Sequence, residues 1–363
     1  MASSNTSWSL LPFDLVENIL YRLPVASLVR FKSTCKQWCA LLIDKRFIYK
    51  HLDLSREGFI RVQDHKSFQV INLETLDLSS LQGPDDIDLM IHCDGLLLCR
   101  FDNRDNNLVV WIPFLSRVKW IELSSSYTGP PGGIYGFGYD NVSRDNYKIL
   151  RFKRELEYEV VEIYEFKSEL WRRVDYSCAY YWYTWYTCHV SMNGNMYWYA
   201  GRDNDNSELK TSSNVLISPE RHSPFLSGFG EDRLSLLSEH KDETMIQVWV
   251  TNKVTDEIGS WSKYLNVTYE IVTRSKYFNV FSPCLSILST SNFPTYFIHK
   301  TNRIMLWYEK EDHQDENIYV NLYEIGGGEV KKLVETGRHR RWDMCDVPKL
   351  CYVFVPNLVP VPE

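Results

Sequence analysis

Apolar positions along the chain fall into two textures. Over residues 10–52 they recur with helical spacing. Leu15, Val16, Ile19, Leu20 and Leu23 stand at i, i+1, i+4, i+5 and i+8, one stripe of an amphipathic helix. Pro12 suits the first turn, where its missing N–H costs nothing. Asp14 and Glu17 favour the positive end of the helix, and Pro24 stops it, because proline disfavours the helical conformation of the residue before it. A second helix is predicted over residues 25–34, with Val25, Leu28, Val29 and Phe31 as its apolar set and Arg30 and Lys32 solvated between them. A third over residues 35–43 places Cys35, Trp38, Cys39 and Leu42 on one face. Asp44-Lys-Arg46 then breaks the pattern before Phe47, Ile48 and Leu52 resume it. The expectation is an open three-helix bundle. So short a segment cannot enclose a stable core alone, so some of its apolar surface is expected to meet another protein.

From residue 91 the texture changes to short apolar or alternating runs bounded by Gly, Asn, Asp and Ser, which are strand signals. Examples are residues 95–99, 108–112, 148–152, 160–166, 245–250, 303–308 and 318–325. No amphipathic helix of ten or more residues is predicted after residue 60. One plan recurs: strand, turn, strand over residues 161–174, 246–264 and 321–333. Divergent hairpins of this kind point to radially repeated sheets, as in a β-propeller; their spacing is too irregular to give a blade number, and a sandwich or barrel is also compatible. Residues 53–90 carry only weak apolar runs and read as a linker or the first edge of the next domain. The predicted organisation is therefore α+β and multidomain: a disordered polar start at 1–9, a helical module at 10–52, a transition at 53–90, a large all-β, propeller-like domain at 91–358 and a tail at 359–363.

Composition supports that division. The chain has 363 residues, of which 14% are aromatic, with 12 Trp and 23 Tyr, an excess that favours pleated surfaces. A net charge of −7 supplies no basic field to draw it to nucleic acid. Arg338-His-Arg-Arg341 is read as a solvated loop rather than an address. Residues 1–9 lack the features of a signal peptide, and no run approaches the ~18 apolar residues of a membrane span. Nine scattered cysteines then imply reduced thiols and a cytoplasmic or nuclear location.

Candidate chemistry is sparse. There is no Cys-x-x-Cys and no His-x-x-x-His, and Cys35 with Cys39 has no nearby histidine to complete a metal site. Asp203-Asn-Asp-Asn-Ser207 starts like a calcium loop but has Glu208 in place of the turn glycine. The glycine clusters at 129–133 and 326–328 lack a phosphate-loop setting. No nucleophile elbow or acid–base pair stands out, so neither a cofactor nor a catalytic activity is expected. The densest aromatic patch is Tyr180-Tyr-Trp-Tyr-Thr-Trp-Tyr186. Strand alternation puts Tyr181, Tyr183 and Trp185 on one face, for core packing, for contact with a client protein or for stacking on a sugar.

The N-terminal segment resembles the F-box. The matching pieces are Leu11-Pro12-Phe13-Asp14-Leu15-Val16, Ile19-Leu20-Tyr21-Arg22-Leu23-Pro24-Val25, Leu28-Val29-Arg30-Phe31-Lys32 and Cys35-Lys36-Gln37-Trp38. That resemblance implies docking on the Skp-type adaptor, and through it the cullin and RING subunit, of an SCF ubiquitin ligase. By likeness the adaptor contacts fall on Leu11, Pro12, Leu15, Ile19, Leu20, Pro24, Leu28, Val29, Lys32, Cys35 and Trp38. The remainder is similar to the plant F-box-associated interaction domain, through Cys93-Asp-Gly-Leu-Leu-Leu-Cys99, Gly136-Phe-Gly-Tyr-Asp140, Trp171, Asn193-Gly-Asn-Met-Tyr-Trp198, Gln247-Val-Trp-Val-Thr251 and the tail from Tyr352 to Pro360. It departs from that family at Pro219-Glu-Arg-His-Ser-Pro224, which looks short and predicts an incomplete blade. The implied role is a non-catalytic substrate receptor holding an unknown client for ubiquitination. The alternatives are a lectin-like F-box protein whose client carries a glycan, an interaction scaffold outside the SCF complex, and a propeller hydrolase with a helical cap.

Overall fold

The computed structural model describes residues 11–362 apart from 64–65, 86, 102–107, 124–133, 141–142, 155–158, 175–181, 203–206, 212–214, 218–224, 231, 241–244, 254–259, 269–294, 300, 313–316, 328 and 341–350. Four helices come first: α1 (Phe13–Leu20), α2 (Val25–Phe31), α3 (Lys36–Ile43) and α4 (Lys45–Leu54). The first three are the ones expected. The fourth differs from the reading of Asp44-Lys-Arg46 as a break. Asp44 has extended backbone (φ −68°, ψ 126°), so it ends α3, and its Oδ1 accepts the Phe47 N–H at 3.1 Å, so it caps α4. An aspartate that separates two apolar runs is thus the hinge between two helices.

Among the described residues the strands form six four-stranded antiparallel sheets. Blade 2 is β4 (Ile87–Cys93), β5 (Leu96–Phe101), β6 (Leu108–Ile112) and β7 (Arg117–Ile121). Blade 3 is β8 (Ile134–Asp140), β9 (Ser143–Arg154), β10 (Glu159–Glu165) and β11 (Leu170–Val174). Blade 4 is β12 (Trp182–Met192), β13 (Asn195–Arg202), β14 (Ser207–Thr211) and β15 (Val215–Ile217). Blade 5 is β16 (Phe225–Phe229), β17 (Arg233–His240), β18 (Met245–Thr251) and β19 (Trp261–Thr268). Blade 6 is β20 (Thr295–Ile298), β21 (Ile304–Asp312), β22 (Asn317–Gly326) and β23 (Glu329–Arg340). Blade 1 takes β1 (Gly58–Val62), β2 (Ser67–Ile71) and β3 (Leu78–Gln82) from the start of the domain and β24 (Cys351–Phe354) from its end. The inner strands β24, β4, β8, β12, β16 and β20 contact one another in ring order. Among the described residues the sheets form a six-bladed propeller in which β24, from the C-terminal part of the chain, closes the ring.

The recurrent hairpins in the sequence are the outer halves of blades 3, 5 and 6. Of the two readings of residues 53–90, the first edge of the next domain holds and the linker does not: they finish α4, build three strands of blade 1 and begin β4. Their apolar pattern is weak because the innermost strand of that blade comes from the other end of the chain and β3 is largely exposed. Nor is residue 359 the start of a free tail, since Leu358 and Val359 are each only 1% exposed. Blade 4 is not incomplete before Pro219; it has four strands, the outermost only three residues long.

Burial grades from axis to rim. β6 is buried at every position, whereas the outer strands β7 and β11 are mostly exposed. A strand covered on both faces reads as a continuous apolar run, which is why Leu108-Val-Val-Trp-Ile112 shows no alternation. The inner strands leave a cavity of about 140 Å³ lined by, among others, His92, His189, Ser227, Thr295 and Tyr296.

Candidate functional site

The helices are seated on blades 2 and 3. One apolar cluster contains Leu20, Val25, Leu28, Leu42, Phe47 and Leu52 from the helices, Ile91, Leu98 and Val110 from blade 2, Phe137 and Ile149 from blade 3, and Leu358 and Val359 from the tail. Inside the bundle Tyr21 stacks on Phe47 at 4.6 Å. The Tyr21 hydroxyl donates to the Glu17 carboxylate, which also holds Arg46 at 3.0 Å. Burial, then the Glu17 carboxylate, pushes the Tyr21 phenol up to about 12. His51 Nε2 lies 3.0 Å from the Leu23 carbonyl, and burial lowers the His51 pKa below the ordinary histidine value.

The opposite side of α1 is bare. Leu11, Leu15 and Ile19 are 55%, 49% and 50% exposed, and Phe13 beside them is 44% exposed. Leu15 and Ile19 are one turn apart on the helix surface, and Leu11 is exposed just before the helix begins. Val16 and Leu20, one residue on, point into the cluster. Pro12 and Pro24 are exposed as the residues preceding α1 and α2. Cys35 is exposed at the start of α3, where its Sγ accepts the Trp38 N–H at 3.4 Å. Val29, Lys32 and Trp38 are half-buried, Trp38 edge-on to Phe31 at 5.2 Å. Burial, and then the nearby Arg117 of blade 2, lower the Lys32 pKa.

The structure therefore divides the eleven residues assigned to adaptor contact. Nine reach the surface. Leu20 and Leu28 do not: they are 1% and 0% exposed and hold the bundle together. A bundle this small must turn part of every amphipathic stripe inward, and spacing alone does not say which part. Phe13, outside the eleven, is exposed at the start of the same helix. Of the aromatic patch, Tyr181 lies outside the described residues, as do the side chains of Tyr183 and Trp185. The β12 backbone puts Tyr183 opposite Gly201.

A polar junction on α4 was also missed. Lys45, Tyr49 and Asp53, again four apart, face blade 3. Lys45 pairs with Asp145 at 2.7 Å and the Tyr49 hydroxyl donates to Asp145 at 2.5 Å. Arg144 lies over the Tyr49 ring at 4.8 Å, grips both Asp94 oxygens at 2.6 and 3.1 Å, and reaches Asp53 at 2.7 Å. Burial raises the Tyr49 pKa, and the bond to Asp145 adds to it. Burial works against the Arg144 charge, but Asp94 and Asp53 outweigh it and hold the guanidinium more firmly protonated than usual. Close by, His92 Nε2 lies 2.8 Å from the Gly95 N and 3.3 Å from the Val355 N, so it accepts from both and the ring is neutral. Burial pushes its pKa down to about 4. Gly95 has φ +76°, and a Cβ there would meet Asn357 Nδ2 at 1.7 Å, so only glycine lets the tail pass.

This arrangement agrees with the relatives of the chain. The F-box domain matches residues 8–50, and the F-box associated beta propeller domain matches residues 41–361. F-box protein At3g08750 of Arabidopsis thaliana is 39% identical, covering 97% of each chain. F-box/WD-40 repeat-containing protein 1 of the same plant is 38% identical, over 100% of this chain and 92% of its own. Among solved structures, TolB from Acinetobacter baumannii is similar over 84% of this chain and 69% of its own, at 10% identity and a TM-score of 0.46. An N-terminal F-box joined to an F-box associated beta propeller over nearly the whole chain makes this protein a member of that F-box family.

Proposed function

We propose that this protein is a substrate receptor of an SCF ubiquitin ligase, with α1 to α3 docking on a Skp-type adaptor and the propeller holding a client protein. The observation that carries the reading is the exposure of Leu15 and Ile19, one turn apart on α1, with Phe13 at the start of that helix and Leu11 just before it, while Glu17 and Leu20 of the same helix are buried. A soluble protein does not leave four large apolar side chains of one short segment half-exposed without a use for them. Covering each, already half out of water, contributes roughly 1 kcal/mol, about half the value for complete burial. Cullin and RING subunit join through the adaptor. The chain itself needs no nucleophile, because transfer depends on holding a client lysine at high effective concentration near the charged conjugating enzyme.

The client end is assigned to the propeller rim remote from the helices. The turn after β12, at Asn193 and Gly194, touches Tyr139 on the helix side of blade 3. Tyr183 and Trp185 lie back along β12, at roughly 3.3 Å per residue about 25–35 Å from that turn. They and Tyr181 are therefore proposed client contacts. Cys93, Cys99 and Cys351 are buried as thiols outside any disulfide, which suits a reducing compartment, in keeping with the cytoplasm or nucleus.

Calorimetric titration of the full chain with a recombinant Skp-type adaptor tests the reading. Tight binding by wild type and its loss in a Leu15→Asp/Ile19→Asp variant that keeps its melting temperature is the expected result. A wild-type chain that ignores the adaptor sinks it.

A further inference from the structure

We propose that Arg144 is a positioning residue of the ligase: by clamping α4 to blades 2 and 3 it sets the angle at which the propeller stands on the F-box, and so which lysines reach the transfer site. The proposal rests on the substrate-receptor reading.

Between α4 and β1 the chain runs only through residues 55–57. The apolar cluster shared by the helices and blades 2 and 3 joins the two bodies, but apolar packing is non-directional and tolerates small rotations. Here rotation is blocked by directional bonds along the length of α4. Lys45 and Asp53 are eight residues apart, about 12 Å of helix, and both ends are tied to neighbouring residues of β9, Lys45 to Asp145 and Asp53 to Arg144. Tyr49 fills the interval, its hydroxyl on Asp145 and its ring under the Arg144 guanidinium. Arg144 alone joins three elements: Nε and Nη2 take the two oxygens of Asp94 in the β4–β5 turn, while Nη1 takes Asp53. Only a guanidinium has the planar fork for two parallel bonds and a third donor to spare. The clamp adds little to the core of either body, since Asp53 and Lys45 are mostly exposed. What it removes is rotation.

Rotation matters because of the chemistry served. A lysine amine attacks the thioester carbonyl carbon of ubiquitin on the conjugating enzyme, an isopeptide bond forms, the C–S bond breaks and the thiol leaves. That step rewards a lysine held in one place and penalises one that wanders. A fixed propeller offers the same few lysines in every encounter, and a loose one offers many.

The test uses the full chain assembled with adaptor, cullin, RING subunit, activating and conjugating enzymes, and maps by mass spectrometry which of the chain's own lysines take ubiquitin. In wild type the modification is expected to concentrate on a few lysines. In Arg144→Ala the share on those lysines is expected to fall several-fold and spread to others, at matched adaptor occupancy. Arg144→Lys should fall between, and Asp53→Asn, which cuts one arm on the exposed side, should move in the same direction. A merely structural role would lower the melting temperature without redistributing the lysines. Unchanged lysine maps in both Arg144→Ala and Asp53→Asn overturn the proposal while the receptor reading stands. Failure of wild type to bind the adaptor overturns both.

Discussion

Two faces of the helical module, built with the same four-residue spacing, do opposite work. On α1 the line of Leu15 and Ile19, with Leu11 just before the helix, is apolar and exposed. On α4 the line of Lys45, Tyr49 and Asp53 is polar and paired, bond for bond, with blade 3. The propeller pairs with the polar line, because Arg144 and Asp145 supply complementary charges at the right interval, and it makes no such contact with the greasy one. Burial without directional partners is tolerant of the surface that meets it, which suits a contact made with a separate subunit. Ion pairs and a tyrosine hydroxyl fix one register, which suits a joint within the chain. The apolar attachment beneath that joint comes from blades 2 and 3 together with Leu358 and Val359.

Substitutions at neighbouring positions sharpen the contrast. Leu20→Ala, one residue beyond the exposed line, should have the largest effect, about 2–5 kcal/mol of stability as for other buried leucines, read as a fall in the urea midpoint. Adaptor affinity per folded molecule should hardly change. If Leu20→Ala instead weakens binding at full stability, the inward and outward sides of α1 have been misassigned. Next comes acid. His92 is neutral in the fold with its pKa down at about 4, against about 6.5 in an unfolded chain. As pH falls the unfolded chain takes up the proton first. Stability is complete above pH 6.5 and is lost as pH drops towards 4, by about 2 kcal/mol once partial exposure is allowed for. Urea unfolding of wild type and His92→Gln at pH 7.5 and 4.5 checks this: the variant should show less of the acid loss.

Smaller effects follow on the two lines themselves. Leu15→Ala should cost about 1 kcal/mol of adaptor binding, roughly a fivefold rise in Kd, with no shift in melting temperature. Tyr49→Phe should do the reverse, costing about 1 kcal/mol of stability by removing one hydrogen bond to a carboxylate and leaving adaptor affinity untouched. Equal effects of both substitutions on binding would erase the distinction between the outer and inner faces.

Much of this architecture was legible in residues. The periodicity of 10–43 is that of the three helices found, because prolines and an amphipathic stripe act locally. The hairpins at 161–174, 246–264 and 321–333 are blade halves, because turn residues and alternation are local too. Blade 1 was illegible for a physical reason: its inner strand lies some 290 residues away, a pairing no window along the sequence contains, and what remains locally is two short five-residue strands and an exposed third. The fourth helix was hidden by Asp44, whose role as a cap depends on backbone angles rather than residue type. The division of the adaptor-contact residues was hidden similarly, since a stripe such as Leu15, Val16, Ile19 and Leu20 is one pattern in sequence and two surfaces in space.

By itself the order of residues determined that helices precede strands, where each helix of the N-terminal trio begins, and that the chain carries an F-box followed by repeated hairpins. These depend on interactions within a few residues, which sequence spells out. Only the tertiary structure decided that six blades close through the C-terminal strand, that Leu20 and Leu28 face inward while Leu11, Leu15 and Ile19 stay bare, and that Arg144 joins α4 to two blades. Each of those rests on contacts between segments distant in the chain, whose partners are chosen by packing in space and leave no local mark.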